Sequence, residues 1–332
     1  SSCDDSDVPR GRAQTTELDH HDQADVDALN KFMMQKMAGD SLVAVDFSFG
    51  NAGSNKHTHT KAMSTQKSRI RLTRTISSVM NQGKYLKSLE LFGLRLGTPE
   101  MEMLAVGFND NTVCKRFLLR KSHIGDKPLV RLADALASSQ VNVLSLIDND
   151  LTDDSATNIT RILKAHVTRR EEHMWTCSLR LQPGQGAEVQ PHSIPVESGV
   201  GASVVTMGLL SLDLSYNRFS DKTAHAIAEH LKNDRYLLGL TMRNCRVSLM
   251  GVNSVVQTLE RSPLSPMVMC QFDTAKISKT EGGRELLKHL DKIISSHKSP
   301  PVMDFEPVRS AIKRRDNFKK ILGVGAETTS FE

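Results

Sequence analysis

The chain has 332 residues, a formal net charge of +5 at pH 7 and 39% hydrophobic residues. This length permits one large or two ordinary domains with a sizeable core, and so modest a charge does not by itself require a nucleic-acid partner. Five cysteines without paired spacing favour a reducing compartment, and the lack of any apolar run of about 18 residues argues against a membrane-spanning helix.

The N-terminal quarter of the chain predicts a tail followed by a cap. Residues 1–23 are polar and partly acidic, so we expect them to be disordered or to be ordered only by a partner. Residues 24–83 are predicted to form a cap that contains a helix over 24–38, a degenerate first repeat around Val45 and Phe47, and a loop. The first residue is Ser rather than Met, so we expect a trimmed or partial chain.

A repeat of 27 or 28 residues dominates residues 84–297 and is described by the pattern L-x-x-L-x-L-x-x-N/C-x-L. Each unit opens with alternating apolar residues, which predict a short strand, and continues with apolar residues at i, i+3, i+4 and i+7, which predict a helix. Asp126, Asp153 and Asp221 precede three of these segments as predicted helix caps. The clear units begin at Leu86, Cys114, Val141, Leu209 and Leu237.

Two stretches carry a family resemblance. Residues 211–259, from SLDLSYNRFSD to VVQTL, resemble ribonuclease-inhibitor-type leucine-rich repeats, and residues 111–153 also resemble the repeats of tropomodulin-like actin-capping proteins. The resemblance implies an α/β fold: a leucine-rich-repeat solenoid, curved like a horseshoe, with parallel strands on its concave face and helices on its convex face. It leaves the function open, because this scaffold serves many partners.

An insertion and a basic tail complete the chain. The step from Val141 to Leu209 is about 40 residues longer than one repeat, and the Gly, Pro and Ser content of the excess predicts a loop insertion over about 168–205. Residues 298–332 predict a tail with a short amphipathic helix, which either packs on the end of the repeats or docks on an acidic protein, with RNA or a membrane as a further alternative. Its basic residues are Arg309, Lys313, Arg314, Arg315, Lys319 and Lys320.

The sequence predicts no catalytic, cofactor or metal site. Cys114, Cys245 and Cys270 fall on repeat positions that face the core, where cysteine acts as a small apolar residue. His225 and His230 nearly match a zinc-protease motif, but on a helix they would diverge by about 140°. No Gly-rich segment completes a phosphate-binding loop.

The predicted binding surface is the concave face, where residues between the buried leucines point outward and form a basic stripe. Such a stripe suits an acidic protein surface, for example tubulin or a neighbour in an assembly, and a merely solvated face is the alternative. RNA is less favoured because stacking aromatic residues are missing. The candidate residues are Lys115, Arg116, Arg120, Lys121, His123, Tyr216, Arg218, Arg243 and Arg246.

These patterns favour a non-catalytic scaffold or adaptor, a structural subunit of a large eukaryotic assembly in a cytoskeletal or ciliary (axonemal) setting. We expect a cytoplasmic protein, associated with the cytoskeleton or cilium but not with membranes, and monomeric within a hetero-complex. One alternative is an accessory protein of a ribonucleoprotein such as an organellar ribosome, with a mitochondrial location. Others are a GTPase activator, whose known repeat family has an acidic rather than a basic tail, and an actin-capping regulator.

Overall fold

The computed structural model describes residues 45–48, 65–82, 86–109, 111–180, 208–263 and 265–296. The predictions made for residues 1–23, for a helix over 24–38 and for the tail over 298–332 lie outside these ranges.

Within these ranges, seven strands form one parallel sheet, in which each strand pairs with the next strand along the chain. Equivalent repeat positions therefore lie side by side, and Leu89, Phe117, Leu144, Leu212 and Leu240 form one continuous row across the sheet. The strands are β1 (Val45–Ser48), β2 (Ser88–Phe92), β3 (Arg116–Arg120), β4 (Val143–Ser145), β5 (Ser211–Asp213), β6 (Gly239–Thr241) and β7 (Met269–Gln271).

Helices connect the strands and pack against one another in chain order. The first of them was not predicted from the sequence, because it precedes the clear repeats. The helices are α1 (Gln66–Gln82), α2 (Thr98–Asn109), α3 (Asp126–Ser138), α4 (Ala156–Arg180), α5 (Asp221–Leu231), α6 (Leu249–Glu260), α7 (Thr274–Ile277) and α8 (Gly283–Ser296).

The core lies between the sheet and the helices. The inward row of strand residues and the apolar stripes of the helices form one cluster of buried side chains, for example Leu144 with Leu132 and Ile162. Burying one such aliphatic side chain stabilises the fold by about 1.5–3 kcal/mol. Phe108 and Phe117 add an edge-to-face ring contact with centroids 4.8 Å apart.

Buried asparagines connect successive repeats just beyond the strands. Asn149 Oδ1 accepts a hydrogen bond from the Ser122 N–H at 3.0 Å. Asn217 Oδ1 accepts from the N–H groups of Asn149 and Leu151, at 3.0 and 3.1 Å. These amides satisfy backbone groups that would otherwise be buried without a partner.

The three aspartates predicted as helix caps act differently. Asp126 and Asp221 lie in the first turn of helices α3 and α5, and Asp153 lies in a short 3-10 helix, Asp153–Ser155, just before α4. A neighbouring residue, such as Ser220 before α5, is the cap. Each aspartate instead accepts hydrogen bonds from the next repeat. Asp153, for example, accepts from the backbone N–H of Ser220 at 2.9 Å and from its hydroxyl. The prediction that these aspartates cap their helices is therefore wrong. Each one joins its repeat to the next by hydrogen bonds, and we call this contact an aspartate staple. The stapled pairs are Asp126–Thr152, Asp153–Ser220 and Asp221–Ser248.

Helix α4 is longer than the repeat pattern suggests. The insertion was predicted to begin near residue 168, but the helix continues to Arg180. Contacts with neighbouring repeats explain the difference: Arg170 is 1% exposed, and Arg169 Nη1 donates to the Ser139 carbonyl oxygen at 2.6 Å. The rest of the predicted insertion, up to residue 205, lies outside the described residues.

Candidate partner-binding face

Strand β3 brings positive charge to the outward face of the sheet. Arg116 at its start is exposed, and Lys115 beside it is half-buried, so that burial lowers the pKa of its ammonium group. Arg120, at the end of the strand, forms an ion pair with Glu90 of strand β2, in which Arg120 Nη1 lies 3.0 Å from Glu90 Oε1. Part of the predicted basic stripe is therefore neutralised by a carboxylate from the preceding repeat.

Most of the other candidate residues lie beyond the strands rather than on the sheet face. Strands β4 to β7 are only three residues long, because the chain turns soon after them. The turns place non-glycine residues in the left-handed region, including Tyr216 at φ 61° and Asn244 at φ 51°. We call these loops, residues 121–123, 148–150, 216–218 and 243–246, the rim. The candidates that the structure moves from the concave face to the rim are Lys121, His123, Tyr216, Arg218, Arg243 and Arg246.

A carboxylate joins three repeats along the rim. Asp150 Oδ2 lies 2.6 Å from His123 Nδ1, and Asp150 Oδ1 accepts from Arg218 Nη2 at 2.9 Å. The hydrogen bond from His123, helped by the charge of Arg218, holds the pKa of Asp150 below its ordinary value. Two predicted binding residues are thus engaged within the protein, and each would have to leave Asp150 to bind a partner.

Other residues of strand β3 and the rim remain available to a partner. Within the described ranges, the exposed side chains of Arg116, Arg243 and Arg246 form no ion pair. Tyr216 is 55% exposed, and its backbone N–H donates to the Arg243 carbonyl oxygen at 2.7 Å, which places its backbone beside the next repeat. Exposed Arg and Tyr side chains in one patch are the residue types that dominate protein interfaces.

Lys121, in the first loop of the rim, contacts an aromatic ring. Its ammonium nitrogen lies 5.5 Å from the centre of the Phe92 ring. This cation–π geometry holds the charge close to strand β2. The candidate residues of the tail, from Arg309 to Lys320, lie outside the described residues.

The described residues hold no group of three or more His, Cys, Asp or Glu placed to bind a metal ion. Cys114, Cys245 and Cys270 are buried, and burial raises the pKa of Cys114 to about 12 and that of Cys245 to about 11, so neither is a nucleophilic thiolate near neutral pH. None of the described helices combines the length and the apolar character needed to span a membrane.

Helix α4 carries a buried cation, Arg170, that was not predicted from the sequence. The guanidinium carbon of Arg170 lies 4.2 Å from the centre of the Tyr236 ring, and burial lowers the pKa of Arg170 to about 10. Its three nitrogens have no hydrogen-bond partner among the described residues. Helical spacing could have indicated its burial, because His166 and Arg170 continue the buried face of Ile159, Ile162 and Leu163.

A parallel sheet in chain order, with a helix after each strand and buried apolar residues at equivalent positions, defines a repeat protein of the leucine-rich-repeat type. No family model matches the chain.

Three curated proteins are similar to the chain over part of its length. The chain is 26% identical over 266 residues to the human "Centrosomal protein of 78 kDa", an alignment that covers 77% of this chain and 35% of that protein. The mouse protein of the same name is 24% identical over 192 residues, covering 58% of this chain and 22% of that one. "Protein Cep78 homolog" of Drosophila melanogaster is 27% identical over 191 residues, covering 57% and 21%. The chain thus spans about a third or less of the length of these relatives.

Two solved structures are also similar. The tropomodulin C-terminal domain of Caenorhabditis elegans has a TM-score of 0.33 at 8% identity, covering 76% of this chain and 99% of that one. Actin-binding site 2 of leiomodin-1 has a TM-score of 0.33 at 12% identity, covering 74% and 95%. Scores this low support no inference about function.

Proposed function

We propose that the chain is a non-catalytic protein-binding scaffold of the centrosome and the cytoskeleton around it. The observation that carries the proposal is the alignment over 77% of this chain with a protein named as centrosomal. We further propose that the repeats form a curved solenoid of the ribonuclease-inhibitor kind, with the strands on its concave face. Association with a cilium belongs to the same proposal.

The proposed binding surface comprises strand β3 and the rim. Arg116, Arg243 and Arg246 support it, because they are exposed cations without an ion pair among the described residues, and exposed Tyr216 lies on the same rim. The partner class that fits is a protein with an acidic surface, such as tubulin or a neighbouring subunit. The basic residues of the tail would add a second contact of the same sign.

Charge reversal tests this surface in the full chain, expressed with a fluorescent tag in dividing cells. We expect the triple variant Arg116→Glu, Arg243→Glu, Arg246→Glu to lose at least about tenfold of its affinity for the centrosomal structure. Arginine is enriched among the few interface residues whose removal costs about 2 kcal/mol or more, and about 1.4 kcal/mol corresponds to tenfold in affinity. The measurement is the ratio of centrosomal to diffuse fluorescence.

The matched control reverses three exposed lysines on helices, Lys127→Glu, Lys164→Glu and Lys222→Glu, and should keep the localisation of the unsubstituted chain. Equal localisation of the two triple variants would contradict the proposed surface. Release of the unsubstituted chain from its assembly by RNase would instead favour a ribonucleoprotein.

A further inference from the structure

One row of side chains runs along the rim, because its members directly follow buried residues that connect four successive repeats. Asn149 Oδ1 accepts a hydrogen bond from the Ser122 N–H, and Asn217 Oδ1 accepts one from the Asn149 N–H. In the next repeat Cys245 Sγ lies 3.5 Å from the Leu214 carbonyl oxygen. The residue after each of these buried positions reaches solvent, and we call the four together the rim row. Its members are His123, Asp150, Arg218 and Arg246.

Backbone hydrogen bonds place Arg218 and Arg246 next to each other in the rim row. The Arg218 N–H donates to the Leu151 carbonyl oxygen at 2.8 Å. The Arg246 N–H donates to the Phe219 carbonyl oxygen at 2.7 Å. Leu151 and Phe219 each follow a member of the row in sequence, so each hydrogen bond joins one member to the member before it. Neighbouring strands of a sheet lie about 5 Å apart, so the side chains of adjacent members can reach one shared carboxylate.

Asp150 shows how the rim row holds a carboxylate. His123 Nδ1 lies 2.6 Å from Asp150 Oδ2, and Arg218 Nη2 donates to Asp150 Oδ1 at 2.9 Å, so the two oxygens contact different repeats. All three side chains are open to solvent, with between 38% and 57% of each exposed. A carboxylate that arrives from solvent can therefore reach the nitrogens that Asp150 contacts.

Positive charge exceeds negative charge at the other end of the rim row. Arg218 pairs with Asp150, whereas Arg246 forms no ion pair with any residue that the structure describes. The two arginines are adjacent in the row, and no acidic member of the row lies between them. This pair of guanidinium groups suits an additional carboxylate, since a planar guanidinium binds a carboxylate through paired hydrogen bonds.

We propose that the rim row binds carboxylates of an acidic protein, and that Asp150 competes with them for Arg218. In the free chain Asp150 bridges His123 and Arg218. In the complex a carboxylate of the partner bridges Arg218 and Arg246 in the same manner, and Arg218 leaves Asp150. The inference rests on the proposed function, because it requires a partner with an acidic surface. It makes Asp150 the residue that limits the affinity for such a partner.

Asp150→Asn tests the competition in the purified full chain. It removes the charge, and asparagine tolerates the left-handed backbone that Asp150 adopts at φ 57°. The probe is a fluorescein-labelled oligoglutamate peptide, and fluorescence anisotropy at low salt measures its dissociation constant. We expect Asp150→Asn to bind the peptide about threefold more tightly than the unsubstituted chain, since the exposed ion pair with Arg218 no longer has to be broken.

Asp148→Asn is the matched control for the loss of a negative charge. Asp148 lies in the same rim loop, also has a positive φ of 55°, and forms no ion pair among the described residues. This variant releases no cation, so its gain in affinity should be clearly smaller than that of Asp150→Asn. In a chain that also carries Arg218→Gln, Asp150→Asn should gain no more than this control, because the two residues act on each other.

The same titrations distinguish failure of the competition from failure of the proposed function. If the unsubstituted chain binds oligoglutamate and Asp150→Asn gains no more than Asp148→Asn, the competition is wrong and an acidic partner still stands. If neither the unsubstituted chain nor Asp150→Asn binds the peptide, both proposals fail. Binding of polyuridylate RNA without binding of oligoglutamate would overturn both as well, in favour of a ribonucleoprotein.

Discussion

At the scale of single residues, the aspartate staples are the clearest device that couples one repeat to the next. Asp153 accepts hydrogen bonds from the Ser220 N–H and from the hydroxyl groups of Ser220 and Thr223. Burial raises the pKa of Asp153, but these hydrogen bonds outweigh it and hold the pKa below its ordinary value. The ionised carboxylate is therefore the form that stabilises the fold.

Replacing this carboxylate should weaken the fold in a pH-dependent way. We expect Asp153→Asn to lower the free energy of unfolding by about 1–2 kcal/mol at pH 7, because the amide presents donors to groups that themselves donate. Since the folded pKa is depressed, the contribution is present above the unfolded pKa near 3.9 and is lost as the pH falls through the folded pKa. Denaturant unfolding at pH 7 and at pH 3 measures it.

The neighbouring Asp154 supplies the control, because it is exposed and, among the described residues of the next repeat, none donates a hydrogen bond to its side chain. Asp154→Asn should match the unsubstituted chain at both pH values. A penalty for Asp153→Asn that is the same at pH 3 as at pH 7 would show that charge is not involved.

At the scale of elements, the sequence predicted the repeating units well, because one period places each strand and its buried row. Leu144 and Leu212 lie 68 residues apart in sequence, yet they are direct neighbours in the sheet, as the repeat pattern requires. The pattern could not assign helix α1, which precedes the clear units. It also missed the full length of helix α4, because His166 and Arg170 continue its buried stripe with polar residues.

The binding site was less predictable than the fold. Alternation along a strand predicts an outward side chain only while the strand continues, and strands β5 and β6 end before Tyr216 and Arg243. The pairing of His123 and Arg218 with Asp150 depends on the left-handed turns of the rim, which the repeat pattern does not specify for residues other than glycine.

The packing of helices α1 and α2 depends on one glycine. A Cβ atom on Gly107 would lie 2.9 Å from the Ser77 Cα atom, so the two helix backbones approach closely there. We expect Gly107→Ala to destabilise the chain by about 1–3 kcal/mol, because the steric cost exceeds the gain of up to about 1 kcal/mol in helix propensity. Denaturant unfolding followed by circular dichroism measures the change.

Val106→Ala on the same helix is the matched control. Val106 is 49% exposed, and its replacement by alanine removes side-chain atoms instead of adding one between the helices. It should change stability by less than about 0.5 kcal/mol. If Gly107→Ala proves as stable as the control, the close helix contact does not limit stability.

At the scale of the whole molecule, the exposed charges of the outward side of the sheet are unevenly distributed. Strand β3 and the rim present exposed cations, whereas strands β6 and β7 present buried apolar and neutral residues. A net charge of +5 is small, so attraction of an acidic partner depends on where these cations lie rather than on their total number.

Lysine crosslinking inside intact dividing cells, followed by mass spectrometry of the recovered protein, tests the central claim most directly. Lys115 and Lys121 flank strand β3, so the proposed scaffold predicts links from these two lysines to segments of centrosomal proteins rich in Asp and Glu. The links should survive RNase treatment of the lysate before recovery. Links from these lysines only to ribosomal proteins, or no intermolecular links at either position, would contradict the claim.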